Sequence, residues 1–249
     1  MASPRGRRVG RPAAATTDVP PDDVILAKGL QAFGELGYDR ASVRELARWI
    51  GVSHNFINDR YGSKEAFWRA VVDRAQQRLW ATVRAAMDDP SRSELDRFRG
   101  AVRAFCAANA QEPHLAAIMN DEARRDTPRL RYVLDRYVRP VLVDVAPRLE
   151  RLTASGQLHD VPLDAVVFSI VATAQAASQQ PLLALLGDSY QRDGPGFLET
   201  LADIVLDGLV RPPTPIPAQT PPRPSKGRAQ EYDAEGRVAP AGVEHGGCV

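Results

Sequence analysis

The chain has 249 residues, 44% hydrophobic and 25% charged, the proportions of a soluble globular protein, which excludes general disorder and a fibrous repeat. Its net charge of +1 is unevenly spread: residues 1–84 hold 14 Lys and Arg against 9 Asp and Glu, leaving 18 against 22 for the remainder, so one end suits a polyanion and the rest is mildly acidic. Two cysteines, Cys106 and Cys248, are too few and too far apart for a disulfide framework, and no apolar core follows the basic start as a signal peptide requires, so the chain reads as cytoplasmic.

Three zones follow in order. Residues 1–21 form a basic arm with Arg5, Arg7, Arg8 and Arg11 and no acid before Asp18; it reads as disordered. Residues 22–211 show helical periodicity nearly throughout. Residues 212–249 hold eight prolines and almost no large apolar side chains, too little burial to offset the entropy of ordering, so this tail also reads as disordered. The middle zone has no sustained alternation of period two, and the predicted class is all-α with about nine helices.

The first helix opens at Asp22-Asp23, places Leu26, Leu30 and Phe33 on one side and stops at Gly37. The second opens with Ser42-Val43-Arg44-Glu45, a capping box in which the hydroxyl and the carboxylate satisfy backbone donors reciprocally. Val43, Leu46, Ala47 and Ile50 form its apolar side, and Gly51 ends it. Ser53 is the expected cap of a two-turn third helix ending near Tyr61-Gly62, and Ser63 of a fourth running from Lys64 to about Met87 with Phe67, Val71, Ala75 and Leu79 along one side. Further helices are predicted at about 93–110, 113–124, 128–154, 162–187 and 196–210, the third of these kinked at Pro140. Residues 165–187 carry no charge, but Gln175, Ser178, Gln179, Gln180 and Pro181 lie inside the stretch. Desolvating those amides is costly, so a buried helix pair is expected there and no membrane span.

Residues 42–64 carry the functional signal. Two short helices joined by a tight glycine turn make a helix-turn-helix, whose second helix enters the major groove. With Val52, Phe56 and Ile57 facing inward, Ser53, His54, Asn55, Asn58, Asp59 and Arg60 are left for solvent or DNA. Asn pairs bidentately with adenine and Arg with guanine. Helix starts at Ser42, Ser53 and Ser63 offer backbone donors to phosphate, Lys64 adds a point charge, and Arg44 and Tyr61 complete the candidate DNA-binding set. The arm arginines Arg5, Arg7, Arg8 and Arg11 are candidates for a minor groove.

Residues 24–71 resemble the amino-terminal domain of the TetR/AcrR family of transcriptional regulators. The resemblance lies in the helix end Phe33-x-x-x-Gly37-Tyr38, in Ser42-Val43-x-x-Leu46-Ala47, in Gly51-Val52-Ser53 and in Gly62-Ser63-Lys64-Glu65-Ala66. Four positions depart from the family pattern, which favours a small residue and then Thr or Ser where Asn55 and Phe56 stand, and Tyr at 58 and Phe at 61 where this chain has Asn58 and Tyr61. The resemblance implies a homodimeric regulator, usually a repressor, with a DNA-binding domain at 22–68 and a helical domain at 69–211 that dimerises and binds a small-molecule effector. The effector would sit between the helices of 93–154 and 162–187, and the fourth helix would be the lever. The alternative is a DNA-binding or architectural protein with no effector.

Phe105, Met119, Tyr137, Val141 and Phe168 are the candidate pocket residues, although their spacing also fits a plain core. Ala172, Ala174, Ala176 and Ala177, with the helix from Phe197 to Leu209, suit a dimer seam, and the same feature also fits an intrachain core. No cofactor is expected, and no metal: His54, His114, His159 and His245 are scattered. Cys106 reads as a core filler. Asp121-Glu122 reads as a solvated face or as a partner of Arg124 or Arg125. No catalytic arrangement is visible, so an enzyme is not expected.

Overall fold

The structure is a computed structural model that describes residues 20–212. The arm arginines Arg5, Arg7, Arg8 and Arg11 and the tail beyond Pro212 lie outside the described residues, and with them the expectations of disorder and of a minor-groove arm.

The described residues are all-α, with twelve α-helices. Their one β feature is an isolated antiparallel bridge between Leu158 and Val210. Four helices come first: α1 (Asp22–Leu36), α2 (Val43–Ile50), α3 (Phe56–Tyr61) and α4 (Lys64–Met87). They are followed by α5 (Glu94–Gln111), α6 (Pro113–Glu122), α7 (Pro128–Val133) and α8 (Arg139–Ala154). The last are α9 (Leu163–Gln175), α10 (Gln180–Leu186), α11 (Ser189–Arg192) and α12 (Gly194–Leu209).

Twelve segments stand where nine helices were expected, because prolines divide two of the nine and α11 is additional. Between α7 and α8 the chain makes a π-helical turn at Leu134–Val138, in which the Arg139 N–H reaches back five residues to the Leu134 carbonyl. Pro140 has no N–H to give, and the wider turn leaves it in the first turn of α8, where no donor is required. Pro147 lies inside the same helix. The uncharged stretch is likewise broken, by a 3-10 turn at Ala176–Ser178 ahead of Pro181 in the first turn of α10. No helix of the described residues is long and apolar enough to cross a membrane.

The long α4 is the spine, packed by α1, α3 and α5. Its inner side carries Phe67, Val71, Ala75 and Leu79 as the spacing predicts, and also Trp68, Val72, Gln76 and Val83. Phe33, Leu46, Ile50, Ile57, Phe67 and Trp68 are all but fully buried in one cluster; each aliphatic or Phe side chain so placed contributes roughly 1.5–3 kcal/mol. Glycine sets the approach of α1 to α4: a Cβ on Gly29 would stand 2.6 Å from the Phe67 ring. A second cluster joins α5, α6, α9 and α12 through Cys106, Ala116, Ala174, Ala177 and Leu198. Cys106 is the core filler expected there, and burial pushes its thiol up to about 12.

Glu122 departs from expectation. Its side chain is buried, and it accepts from Arg129 Nε and from the Thr127 hydroxyl, each at 2.6 Å. Arg125 reaches Asp39 instead, at 3.0 Å. The turn after α6 folds α7 back over Glu122, a proximity that adjacency in sequence does not reveal.

Candidate nucleic-acid interface

Local signals place α2. The Ser42 hydroxyl accepts from the Glu45 N–H, and the Glu45 carboxylate accepts from the Ser42 N–H at 2.9 Å and from its hydroxyl at 2.7 Å. Those bonds lower the carboxyl's pKa. The expected phosphate-holding start at Ser42 therefore already carries a carboxylate. Leu46, Ala47 and Ile50 are buried, Val43 is half-buried, and Ser42, Arg44, Arg48 and Trp49 are exposed. Gly51 ends the helix at φ +87, a left-handed conformation that costs glycine nothing. Lys28 of α1 closes the same end, donating to the Ile50 carbonyl at 2.9 Å, where a cation meets the negative end of the helix dipole.

The third helix is shorter than predicted. It begins at Phe56, with Asn55 at the cap position and no side-chain capping bond. Ser53 contributes its carbonyl to the Phe56 N–H at 3.1 Å, so Ser53 ends the turn and does not cap the helix. Ile57 is the anchor, fully buried, whereas Phe56 and Val52 are half-buried against the same cluster. Ser53, His54, Asn55, Asn58, Asp59 and Arg60 are all exposed. One buried residue thus turns six polar ones outward on a six-residue helix and its approach.

Three expected contacts are more constrained than the sequence suggests. Arg60 bonds Asp22 at the start of α1, 3.1 Å from Nε and 3.0 Å from Nη2. Tyr61 packs its ring 4.8 Å from that of Phe67 and donates its hydroxyl to Asp22 at 2.8 Å. Burial first, and then that bond, push the Tyr61 phenol up to about 12. Lys64 donates to the Tyr38 carbonyl at 2.9 Å and to the Ala41 carbonyl at 3.0 Å. Burial lowers the Lys64 pKa, and the ammonium that was expected to stand free beside a phosphate fastens the α1–α2 turn.

None of the five candidate pocket residues lies in the wall of the cavity among α5, α8, α9 and the end of α12. Phe105 packs tilted against Trp80 with ring centroids 5.7 Å apart, the Met119 sulfur accepts from Gln76 Nε2 at 3.5 Å, and Tyr137 donates to Asp73 at 2.7 Å. Val141 is half-buried. Phe168 is 74% exposed, because α9 turns Val166 and Ala174 inward and leaves Phe168 on the other side. A cavity of about 420 Å³ does open among α5, α8, α9 and the end of α12, with Phe98, Leu149, Val166 and Leu209 in its wall and Glu150 and Asp160 beside them. Its lining was not legible because it needs the return of α12 onto Leu158, a long-range pairing.

Residues 25–71 match the family model described as bacterial regulatory proteins, tetR family. No curated protein sequence is significantly similar to the chain. Among solved structures, the fold resembles the ketosteroid transcriptional regulator KstR2 of Mycobacterium tuberculosis, at 22% identity and a TM-score of 0.60, over 76% of this chain and 94% of that one. It also resembles the fatty acid degradation regulator FadR from Bacillus halodurans, at 17% identity and a TM-score of 0.59, over 75% and 94%. A third is the regulator PfmR from Thermus thermophilus, at 20% identity and a TM-score of 0.54, over 78% and 99%. The tetR-family model thus falls on the helix-turn-helix of residues 25–71, and the chain as a whole shares its fold with these transcriptional regulators.

Proposed function

We propose that the protein is a ligand-responsive repressor that binds a two-fold-related operator as a homodimer. On this reading residues 22–68 are the DNA-binding head and residues 69–211 the effector-binding and dimerising part. The observation that carries the DNA-reading role is the outward set Ser53, His54, Asn55, Asn58 and Arg60 held over buried Ile57. Asn55, at the cap of α3 with helical backbone angles, and Asn58 in its first turn are three residues apart, so they share a side and suit adenine edges. Phosphate neutralisation would supply most of the affinity, and these side chains the choice of sequence.

Dimerisation is supported by the outer sides of α9 and α12, two helices that pack against each other. Ala165, Phe168 and Ala172 are exposed on one, and Thr200, Ile204 and Gly208 on the other. Phe168 and Ile204 are 74% and 64% exposed, and the small residues beside them permit a close approach of helices. A second copy, related by a two-fold axis, would cover both strips in a four-helix seam. An effector in the cavity among α5, α8, α9 and α12 would act by differential affinity for two head arrangements, on the order of 1–3 kcal/mol for typical couplings.

The test is operator affinity and melting temperature measured with and without a metabolite panel, together with solution mass. The reading predicts a particle of twice the chain mass and at least one compound that raises the melting temperature while weakening DNA binding. A monomer, or indifference of both properties to every compound, would leave a DNA-binding regulator without an effector.

A further inference from the structure

The turn between α1 and α2 is held by cations that belong to other elements. From α4, the Lys64 ammonium lies 4.1 Å from the centroid of the Tyr38 ring while it bonds the carbonyls of Tyr38 and Ala41. From α7, the Arg129 guanidinium lies over the same ring at 3.7 Å. Arg129 also reaches Asp39 at 3.9 Å, and Arg125 reaches Asp39 at 3.0 Å. The ring itself stands edge-on to Trp68, 6.2 Å between centroids. Arg129 and Glu122 are 13% and 4% exposed and lie 2.6 Å apart. A charge pair so thoroughly desolvated keeps one geometry, because breaking it leaves a buried charge without a partner. Ala41, at the end of the turn, is fully buried, and the next residue is Ser42, which starts α2.

We infer that Arg129 is a positioning residue for DNA recognition: held by Glu122 and laid over Tyr38, it fixes where α2 begins and hence where α3 points. It lies outside the 25–71 stretch that matches the family model. It is also joined to the cavity through continuous helix, since α7 passes by the π-helical turn into α8, whose second half lines the cavity wall. A shift of α8 therefore reaches the head through Arg129 without crossing a loop. That switching role rests on the effector reading above, whereas the positioning role needs no effector.

The experiment uses the full chain with three variants: Arg129→Met, Arg129→Lys, and Arg131→Met as the control on the same helix, where Arg131 is 69% exposed. Readouts are amide hydrogen exchange over residues 38–43 and affinity for two duplexes, an operator selected from random DNA and a scrambled sequence. Arg129→Met is expected to keep its helical signal, to speed exchange in the turn about tenfold and to weaken operator binding about tenfold, with scrambled DNA unaffected. Arg131→Met should change nothing. Unaltered exchange and operator affinity would overturn the inference, and so would an equal loss on both duplexes, which marks a phosphate contact. Should Arg129→Met fail to fold, Arg129→Lys decides. Lysine keeps the charge beside Glu122 but not the planar stack, so faster exchange with operator-specific loss supports the inference and wild-type behaviour overturns it. If the wild-type chain shows no preference between duplexes, the DNA reading fails, and the exchange data still decide whether Arg129 holds the turn.

Discussion

Asp22, in the first turn of α1, accepts hydrogen bonds both from Arg60 Nε at 3.1 Å and from the Tyr61 hydroxyl at 2.8 Å, so α3 is fastened by its last two residues to the helix that supports it. The Arg60–Asp22 pair is half-exposed on both sides. Pairs of that kind contribute little and open readily, which leaves the guanidinium free to exchange its carboxylate for DNA. Arg60→Ala is expected to weaken binding to the preferred operator roughly five- to hundredfold and to relax choice at one base position. Titrations against duplexes with single base substitutions check this. An equal loss on every duplex assigns Arg60 to phosphate. Asp22→Asn, which removes a negative charge from the interface, should tighten binding to all of them.

The placement of α3 rests on Ile57. A helix of six residues has no stability of its own in water, so its geometry is borrowed from the cluster that buries this side chain. Ile57→Ala should lower unfolding free energy by about 2–5 kcal/mol, the range for deleting a large buried aliphatic group. Urea denaturation measures this. DNA affinity should fall as well, although Ile57 touches no solvent.

Two glycines should respond differently to the same substitution. At Gly51, φ is +87 and an added Cβ meets nothing within 4 Å, so Gly51→Ala costs only the left-handed backbone, about 1–2 kcal/mol. At Gly29 the Cβ would enter the Phe67 ring and the Val71 side chain at 2.6 and 2.7 Å, and α1 must move off α4. Gly29→Ala should therefore be the more destabilising in a denaturant titration, despite its ordinary helical backbone.

What could be read from sequence was what local chemistry decides. The capping box at Ser42 and Glu45, the stop at Gly51 and the apolar side of α4 each follow from neighbours within one or two turns, and all stand in the structure. The features that were missed depend on distant partners. Lys64 points to Tyr38 and Ala41, Glu122 to Arg129, and Arg60 to Asp22. A charged side chain whose partner lies beyond the next turn carries no periodic signature. The exposure of Phe168 was hidden for a different reason: α9 is apolar on most of its circumference, so spacing alone does not say which side faces the chain's own core. The π-helical turn before Pro140 was legible as a disturbance but not in kind.

Alkaline stability follows from three groups. Burial raises the Cys106 thiol from 9.0, and burial with hydrogen bonds to carboxylates raises the Tyr61 and Tyr132 phenols from 10.0, each to about 12. The folded state thus holds protons that the unfolded chain releases, so these contributions are complete below about pH 9 and are lost as pH climbs toward 12. The urea midpoint should decline steadily over that window. Tyr132→Phe, which removes the hydroxyl that donates to Asp73 at 2.7 Å, should flatten the decline. A midpoint independent of pH above 9 would contradict the assignment.

The most direct measurement is selection of bound duplexes from a random pool by the purified full chain. The account predicts enrichment of one sequence whose two halves are related by a two-fold axis, and a change in the enriched bases when Asn55 or Asn58 is replaced by Ala. Recovery of unenriched DNA, or of one sequence by wild type and both variants alike, would contradict the claim that the exposed side of α3 reads the major groove.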